Sequence, residues 1–165
     1  MALIVETGGA STTAESFASV AAADTRHSAN GNAAWAALAT TALKEQALRR
    51  ATQYMEQAYR TRWHGKRKER LQALSWPRND VVVDGWSIDS DIVPPEVVNA
   101  CIDLALKAST ATLAPDLERA IVREKVGPLE TEYSEFSPQA VRYRSIDLML
   151  APFLKGSAIN AELVR

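Results

Sequence analysis

The chain has 165 residues and a formal charge of −1, from 19 Lys and Arg against 20 Asp and Glu. Its length fits one domain, or one small domain with arms. The balanced charge argues against a dedicated nucleic-acid coat protein, which usually has a basic excess. The single cysteine, Cys101, excludes an internal disulfide and favours a reducing compartment. No basic region precedes the short apolar N-terminus and no apolar run could cross a bilayer, so we expect neither a secretory leader nor membrane contact.

The first part of the chain predicts two short elements. Ala2 to Val5 predicts a short strand. Ser19 has the residue type of a helix N-cap, which predicts a helix from Val20 to His27 that Asn30-Gly31-Asn32 ends. Thr12-x-x-Glu15 has the spacing of a capping box and offers an alternative start.

A long amphipathic helix follows, and Thr40 or Thr41 can cap it. Its apolar residues recur at helical spacing, which predicts one buried face. They are Leu43, Ala47, Leu48, Ala51, Tyr54, Met55, Ala58 and Tyr59.

The helix leads into residues 60–70, which we call the basic loop. The loop holds six of the chain's 19 Lys and Arg. They are Arg60, Arg62, Lys66, Arg67, Lys68 and Arg70. Two tryptophans, Trp63 and Trp76, stand on either side of its most basic part.

Beyond Pro77 the sequence predicts turns and a second long helix. Arg78 to Asp80 suits a turn, and Val81 to Val83 suits a brief strand or an apolar plug. Asp84-Gly85 is a turn signal. Pro94-Pro95-Glu96 predicts a helix start, because proline suits the first turn and an acid favours the positive end. We expect this helix to end near Leu113.

In residues 120–137 the spacing of the apolar residues becomes shorter than in a helix, and charged and apolar residues alternate on both sides of Gly127-Pro128. This pattern predicts a hairpin or an extended arm, whose edges could pair with another chain. Ser145 can cap a final helix, which Pro152-Phe153-Leu154 closes. Lys155 to Arg165 predicts a mobile tail, or one that a partner orders.

Together these elements predict a mainly α fold. It is a small helical bundle with a projecting β-hairpin or extended arm and a C-terminal helix plus tail. The expected divisions are a helical core domain over residues 1–119, an extended β arm over 120–137, and the C-terminal helix and tail over 138–165.

The basic loop is the strongest functional signal. Its cations, with Trp63 as a stacking ring, could follow a phosphate backbone. Alternatively, its arginines could pair with acids on the same or a neighbouring subunit. Trp63 and Trp76 could stack on bases, although a tryptophan beside a helix end is more often a core anchor. Gly65-Lys66 lacks the spacing of a P-loop.

The sequence shows no pattern of catalytic or metal-binding residues. The four aspartates between Asp80 and Asp91 do not match a calcium loop, and turn chemistry explains them. His27 and His64 form no helical pair and have no cysteine nearby. Cys101 lies on a predicted apolar face, which indicates a buried, inert thiol. We therefore predict no enzyme activity, no metal and no cofactor.

Six segments form a recognisable set. They are ALRRATQY (Ala47–Tyr54), YRTRWHGKRK (Tyr59–Lys68), LSWPR (Leu74–Arg78), DGWSI (Asp84–Ile88), IVPPEVVNACIDLAL (Ile92–Leu106) and REKVGPLETEY (Arg123–Tyr133). The set resembles a family encoded by tailed bacteriophages and prophages, often labelled DnaT-like single-stranded-DNA-binding proteins. Its members are also similar to the head–tail connector, or adaptor, proteins of long-tailed phages. The resemblance runs from roughly Leu3 to Leu154.

The connector resemblance implies a structural protein of the virion neck, assembled in the bacterial host cytoplasm. Copies of the chain would form a head-to-tail ring, commonly dodecameric, below the portal protein. Double-stranded DNA would pass through the ring, and a stopper or tail-completion protein would attach to it. The basic loop would face the DNA path or acids on an adjoining protein. The arm would contact a neighbouring copy or the portal, through Arg123, Lys125, Val126, Gly127, Leu129 and Tyr133.

The DNA-binding label implies a different role, a single-stranded-DNA-binding replication accessory protein. It would use the six cations of the basic loop together with Trp63. The near-neutral charge, the arm and the tail favour the connector role.

Overall fold

The structure is a computed structural model, which describes residues 2–116, 123–126, 129–132 and 141–156. Its helices are α1 (Val20–Ala29), α2 (Ala33–Ala36), α3 (Thr41–Tyr59), α4 (Pro95–Thr110) and α5 (Arg144–Leu150), and a 3-10 helix follows at Ala151–Phe153. Its strands are β1 (Lys66–Arg67), β2 (Arg78–Asn79), β3 (Val82–Val83), β4 (Trp86–Ser87), β5 (Arg123–Val126) and β6 (Leu129–Glu132). A small, mainly helical domain is therefore confirmed.

Two predicted helix caps are present. The Ser19 hydroxyl accepts a hydrogen bond from the Ala22 backbone N–H at 3.1 Å, and α1 begins at the next residue. The Thr40 hydroxyl accepts one from the Leu43 N–H at 3.3 Å, so Thr40 rather than Thr41 caps α3. Each cap satisfies a backbone donor that the first helical turn leaves without a partner.

The centre of the core is the contact between α3 and α4. Small side chains on both helices, among them Ala51 and Ala105, are fully buried and let the two backbones approach closely. Larger buried residues such as Leu48, Met55 and Leu104 fill the remaining space. The apolar faces predicted for both helices are largely confirmed, although Leu43 is 41% exposed.

Cys101 lies in this core, as predicted. Its sulfur is 3.3 Å from the Thr52 hydroxyl and 3.9 Å from the Ser16 hydroxyl. Burial raises the pKa of the Cys101 thiol, so the protein keeps it protonated and shielded from reagents.

The strands form three antiparallel pairs within the described residues. β1 pairs with β2, and β3 pairs with β4 across a tight turn at Asp84 and Gly85. Both turn residues have positive φ, 52° and 84°, as a two-residue hairpin turn requires. The apolar-plug interpretation suits Val81, which is fully buried.

β5 and β6 form the predicted hairpin, with Val126 opposite Leu129 and Lys125 opposite Glu130. Gly127 and Tyr133 of the predicted arm lie outside the described residues, as does the chain beyond Gly156. The three-part division of the chain and the contacts of the arm stay predictions.

Three local predictions are wrong. The Ala2 to Val5 strand is a single bridge between Val5 and Ser16. α4 ends at Thr110 rather than near Leu113, because the chain turns extended at Ala111. Ser145 does not cap α5, which begins at Arg144.

The start of α5 is set by the residue before it, Tyr143. The Tyr143 hydroxyl donates to the Leu113 carbonyl at 3.2 Å, and its ring meets Tyr54 edge-on at 5.4 Å between centroids. A tertiary contact therefore fixes this helix end in place of a side-chain cap.

His27 is a buried residue that joins α1 to α4. Its Nδ1 lies 3.0 Å from the Asn32 amide nitrogen, and its Nε2 lies 3.2 Å from the Ile102 carbonyl oxygen. A neutral ring that accepts at Nδ1 and donates from Nε2 satisfies both contacts, whereas a charged ring would set two donors against each other. Burial lowers the pKa of His27, and the hydrogen bond to the Ile102 carbonyl and the nearby carboxylates of Asp103 and Asp24 only partly oppose this.

We expect the free energy of unfolding to fall as the pH drops below about 6.5, the usual pKa of an unfolded histidine. The unfolded chain then binds a proton at His27 that the folded chain resists, so the slope is positive and at most about 1.4 kcal/mol per pH unit. Urea denaturation across this range measures the effect. His27→Gln should flatten the curve, and an equally steep curve in that variant would assign the pH dependence to other groups.

Candidate nucleic-acid interface

The basic loop is attached to the core by its two tryptophans. Trp63 is 1% exposed and Trp76 is fully buried, and their rings meet edge-on at 5.7 Å between centroids. Trp76 in turn meets Phe153 at 5.7 Å. The core-anchor interpretation of both tryptophans is confirmed. The inclusion of Trp63 among the surface residues of the loop is wrong, because its buried ring cannot stack on a base.

The C-terminal segment holds the start of the loop through backbone hydrogen bonds. The His64 N–H donates to the Phe153 carbonyl at 2.9 Å, and the Lys155 N–H donates to the Arg62 carbonyl at 2.6 Å. Trp63 and Leu154 form an antiparallel bridge between these bonds. The loop therefore depends on contacts with residues that lie far away in the sequence.

Arg78 links the basic loop to the chain that follows it. Its guanidinium donates to the carbonyls of His64 at 2.7 Å, Gly65 at 2.8 Å and Ser75 at 3.1 Å. The turn predicted for Arg78 is wrong, because the residue begins β2 and is 6% exposed. The only sequence signal that Arg78 would donate to the loop carbonyls was the presence of a basic residue directly after Trp-Pro.

Arg78 has no carboxylate among its hydrogen-bond partners in the described chain. Burial lowers the pKa of Arg78, the charge of Arg67 lowers it further, and Glu56 acts in the opposite direction. The Glu56 carboxylate accepts its hydrogen bonds from Ser75 instead, whose N–H and hydroxyl donate to it at 2.7 and 2.8 Å. The positive charge of Arg78 is therefore only partly balanced, and it adds to the positive potential of the loop.

Gly65 explains why the loop can close. It has φ of +64°, and an added Cβ would collide with the Asn79 carbonyl oxygen and crowd the Val81 side chain. The glycine permits both the left-handed conformation and the close approach of β2. Its role is structural, in agreement with the absence of a P-loop pattern.

The cations of the loop differ in their freedom to bind a ligand. The Lys66 ammonium lies 3.0 Å from the Asp80 carboxylate, but both groups are about 70% exposed, so water screens this pair. The Lys68 ammonium donates to the Gly8 carbonyl at 3.3 Å. Arg67 has a buried Nε with no hydrogen-bond partner in the described part of the chain.

Three arginines remain at the surface of the loop: Arg60, Arg62 and Arg70. No acidic side chain of the described residues forms a salt bridge with any of them. The Arg62 guanidinium lies 5.7 Å from the centre of the Tyr59 ring, which orients it. These arginines leave their hydrogen-bond donors open to phosphate or carboxylate oxygens.

Trp86 is a surface aromatic that the sequence prediction missed. It is 78% exposed, whereas the other three of the chain's four tryptophans are at most 1% exposed. Its position directly after Asp84-Gly85, beside the turn of a two-stranded hairpin, was the available signal, because tight turns lie at the protein surface.

The family model described as "Putative DnaT-like ssDNA binding protein" matches residues 1–165. The chain belongs to this family. No match was found among curated proteins or among solved structures. The family description concerns single-stranded DNA, and the connector role stays a prediction.

Other sites are weaker in this DnaT-like family member. A cleft of about 420 Å³ beside α1 and α2 is lined by Asp24, Trp35 and Lys44, among others. The Trp35 indole and the Lys44 ammonium both donate to one Asp24 oxygen, at 2.7 and 2.8 Å, so these polar groups satisfy one another.

Across the described residues, no cluster of His, Cys, Asp and Glu is arranged to hold a metal ion. None of the described helices is both long and apolar enough to span a bilayer.

Gly65→Ala should destabilise the protein more than Gly31→Ala. Both glycines have φ near +65°, so both variants incur about 1–2 kcal/mol of left-handed strain. Only Gly65 would also collide with backbone, since nothing lies within 4 Å of a Cβ at Gly31. Urea denaturation of the two variants measures the difference. Equal losses of unfolding free energy would contradict the close approach of β2 to the loop.

Trp63→Ala should lower the free energy of unfolding by about 3–5 kcal/mol, because it empties a large buried volume. Trp86→Ala is the matched control and should change it by less than about 0.5 kcal/mol. Chemical denaturation followed by far-UV circular dichroism compares the two. Similar effects of both substitutions would refute the assignment of Trp63 to the core and Trp86 to the surface.

Proposed function

We propose that the protein binds single-stranded DNA through the basic loop. The observation that carries the proposal is the set of three exposed arginines, Arg60, Arg62 and Arg70, on a loop that the core holds in place. The partly balanced charge of Arg78, which donates to a carbonyl of the loop, adds to its positive potential. The family description supports the same ligand.

The number of free cations predicts moderate affinity with a clear salt dependence. For single strands, log K falls by about 0.7 per tenfold rise in salt for each phosphate that the protein neutralises. If each exposed arginine meets one phosphate, the slope is about −2. The near-neutral net charge gives little additional long-range attraction, so the contacts of the loop carry the binding.

Fluorescence anisotropy with a labelled oligo-dT, between about 50 and 200 mM salt, tests the proposal. Reversing Arg60, Arg62 and Arg70 to glutamate should abolish binding at the higher salt and remove most of the salt slope. These side chains are exposed, so the variant should fold, which circular dichroism verifies.

The matched control reverses three exposed cations elsewhere, Lys107, Arg142 and Arg144. It changes the net charge by the same amount, so it separates contacts of the loop from general electrostatics. Binding should remain close to that of the unaltered protein. Equal weakening by the two triple variants, or no binding by the unaltered protein at low salt, would refute the proposal.

The second candidate function is a structural head–tail adaptor in the neck of a phage or phage-like particle. The observation that favours it is a pair of exposed apolar residues close in sequence to the loop, Leu71 at 67% and Val82 at 58% exposure. Exposed apolar groups beside charged ones suit protein contacts. In this role the loop meets acids of the portal protein or a neighbouring copy, and double-stranded DNA passes without tight binding.

Electron microscopy of the particle tests the adaptor role. Density for this chain in a ring beneath the portal is the expected result, with a stopper or tail-completion protein on the other side. A particle whose neck contains no copy of the chain would exclude it.

A further inference from the structure

We propose that Trp86 is the side chain on which an unpaired base stacks when the basic loop holds the phosphates of a single strand. This inference rests on the proposed function and adds to it the group that recognises bases. The charged loop alone can contact only phosphates, which single-stranded and double-stranded DNA both have. Stacking on an aromatic ring requires a base that is free of its partner.

The hairpin holds the backbone of Trp86 in place while leaving its ring open. Trp86 lies opposite Val83 in the β3–β4 pair, so both side chains point to the same face. Val83 packs partly against the core. The Ile88 N–H donates to the Val81 carbonyl at 2.9 Å, and Val81 is fully buried. The base of the hairpin is therefore fixed, and a backbone that is already held in place loses less entropy on binding.

The hairpin adjoins the basic loop through two connections. β2 pairs with β1 inside the loop, with Asn79 opposite Lys66, and only two residues separate β2 from β3. β3 also contacts the 3-10 helix, whose Phe153 carbonyl accepts from His64 of the loop. The hairpin that carries Trp86 and the loop that carries the exposed arginines are therefore joined to the same part of the structure, which would let one DNA strand reach both.

The surroundings of Trp86 favour a base over a protein partner. Across the hairpin its neighbour is Val83, which is half-buried against the core, while Asp84, Gly85 and Ser87 precede and follow it and the exposed Val82 points to the opposite face. The indole is thus the one strongly exposed apolar group on its face of the hairpin, a smaller surface than the broad apolar patches that protein interfaces bury. A single base covers such a surface, and the nearby cations complement the phosphates on either side of it.

Asp84 is the one group of the hairpin that opposes this ligand. Its carboxylate is exposed at the turn, two residues before Trp86, and it repels phosphate. Asp84→Asn removes the charge and keeps a residue that suits the same type of turn. We expect this variant to bind oligo-dT more tightly than the unaltered protein.

Two labelled probes of equal length separate base contacts from phosphate contacts: oligo-dT, and an oligomer in which every nucleotide is abasic. Trp86→Ala should weaken oligo-dT binding by about 5- to 150-fold, the range for losing one stacked base. Its affinity for the abasic oligomer and its salt slope should stay unchanged. Trp86→Phe should keep most of the affinity, and Leu71→Ala, another exposed apolar residue, should match the unaltered protein.

Intrinsic fluorescence gives a second readout, because Trp86 is the exposed tryptophan among four. Acrylamide should quench Trp86 far more than the buried tryptophans, and oligo-dT should protect it. Trp86→Phe should remove both the acrylamide-accessible emission and the response to DNA.

The outcomes distinguish the two levels of the proposal. If the unaltered protein binds both probes equally and Trp86→Ala changes neither affinity, the stacking role is refuted while DNA binding by the loop stands. If the unaltered protein binds neither probe, the proposed function fails and the stacking role fails with it. If Trp86→Ala instead abolishes self-association in sedimentation and leaves DNA binding intact, Trp86 is a subunit contact and the inference is overturned.

Discussion

The buried guanidinium of Arg78 is the constraint on which the basic loop depends. It joins the carbonyls of His64 and Gly65 within the loop to that of Ser75 beyond it, and so supplements the short backbone pairing of β1 and β2. Burying a cation is costly, and hydrogen bonds from a charged donor, about 1.5–3 kcal/mol each, offset that cost. Gly65 and the two buried tryptophans work in the same direction, because each lets the loop fold tightly onto the core.

This arrangement separates the structural cations of the chain from those that can meet a ligand. Arg78 and Lys68 donate hydrogen bonds to backbone carbonyls, whereas Arg60 and Arg62 extend into solvent. A rigid frame matters for either candidate function, since a loop whose backbone is already held in place loses less entropy when it binds. Phosphates and carboxylates would both suit the exposed arginines, so recognition of unpaired bases is the property that separates DNA binding from an adaptor role.

Local signals in the sequence were sufficient for most of the fold. Ser19 and Thr40 act through hydrogen bonds to residues three positions away, and Asp84-Gly85 acts within its own turn, so short-range chemistry predicts them. The candidate site was only partly predictable. The cluster of cations was visible, but the burial of Trp63 and the role of Arg78 depend on contacts with residues distant in sequence. The Asp84-Gly85 turn predicts the hairpin that carries Trp86, but it does not reveal which of the hairpin's side chains stay exposed.

The sealed environment of Cys101 has a practical consequence for spectroscopy. The chain has no other thiol, and this one is fully buried beside Thr52 and Ser16 with a raised pKa. Maleimide dyes react with accessible thiolates, so a cysteine introduced on the surface would take the dye while the native sulfur remains unmodified. Site-specific fluorophores for distance measurements can therefore be attached without first removing a residue from the core.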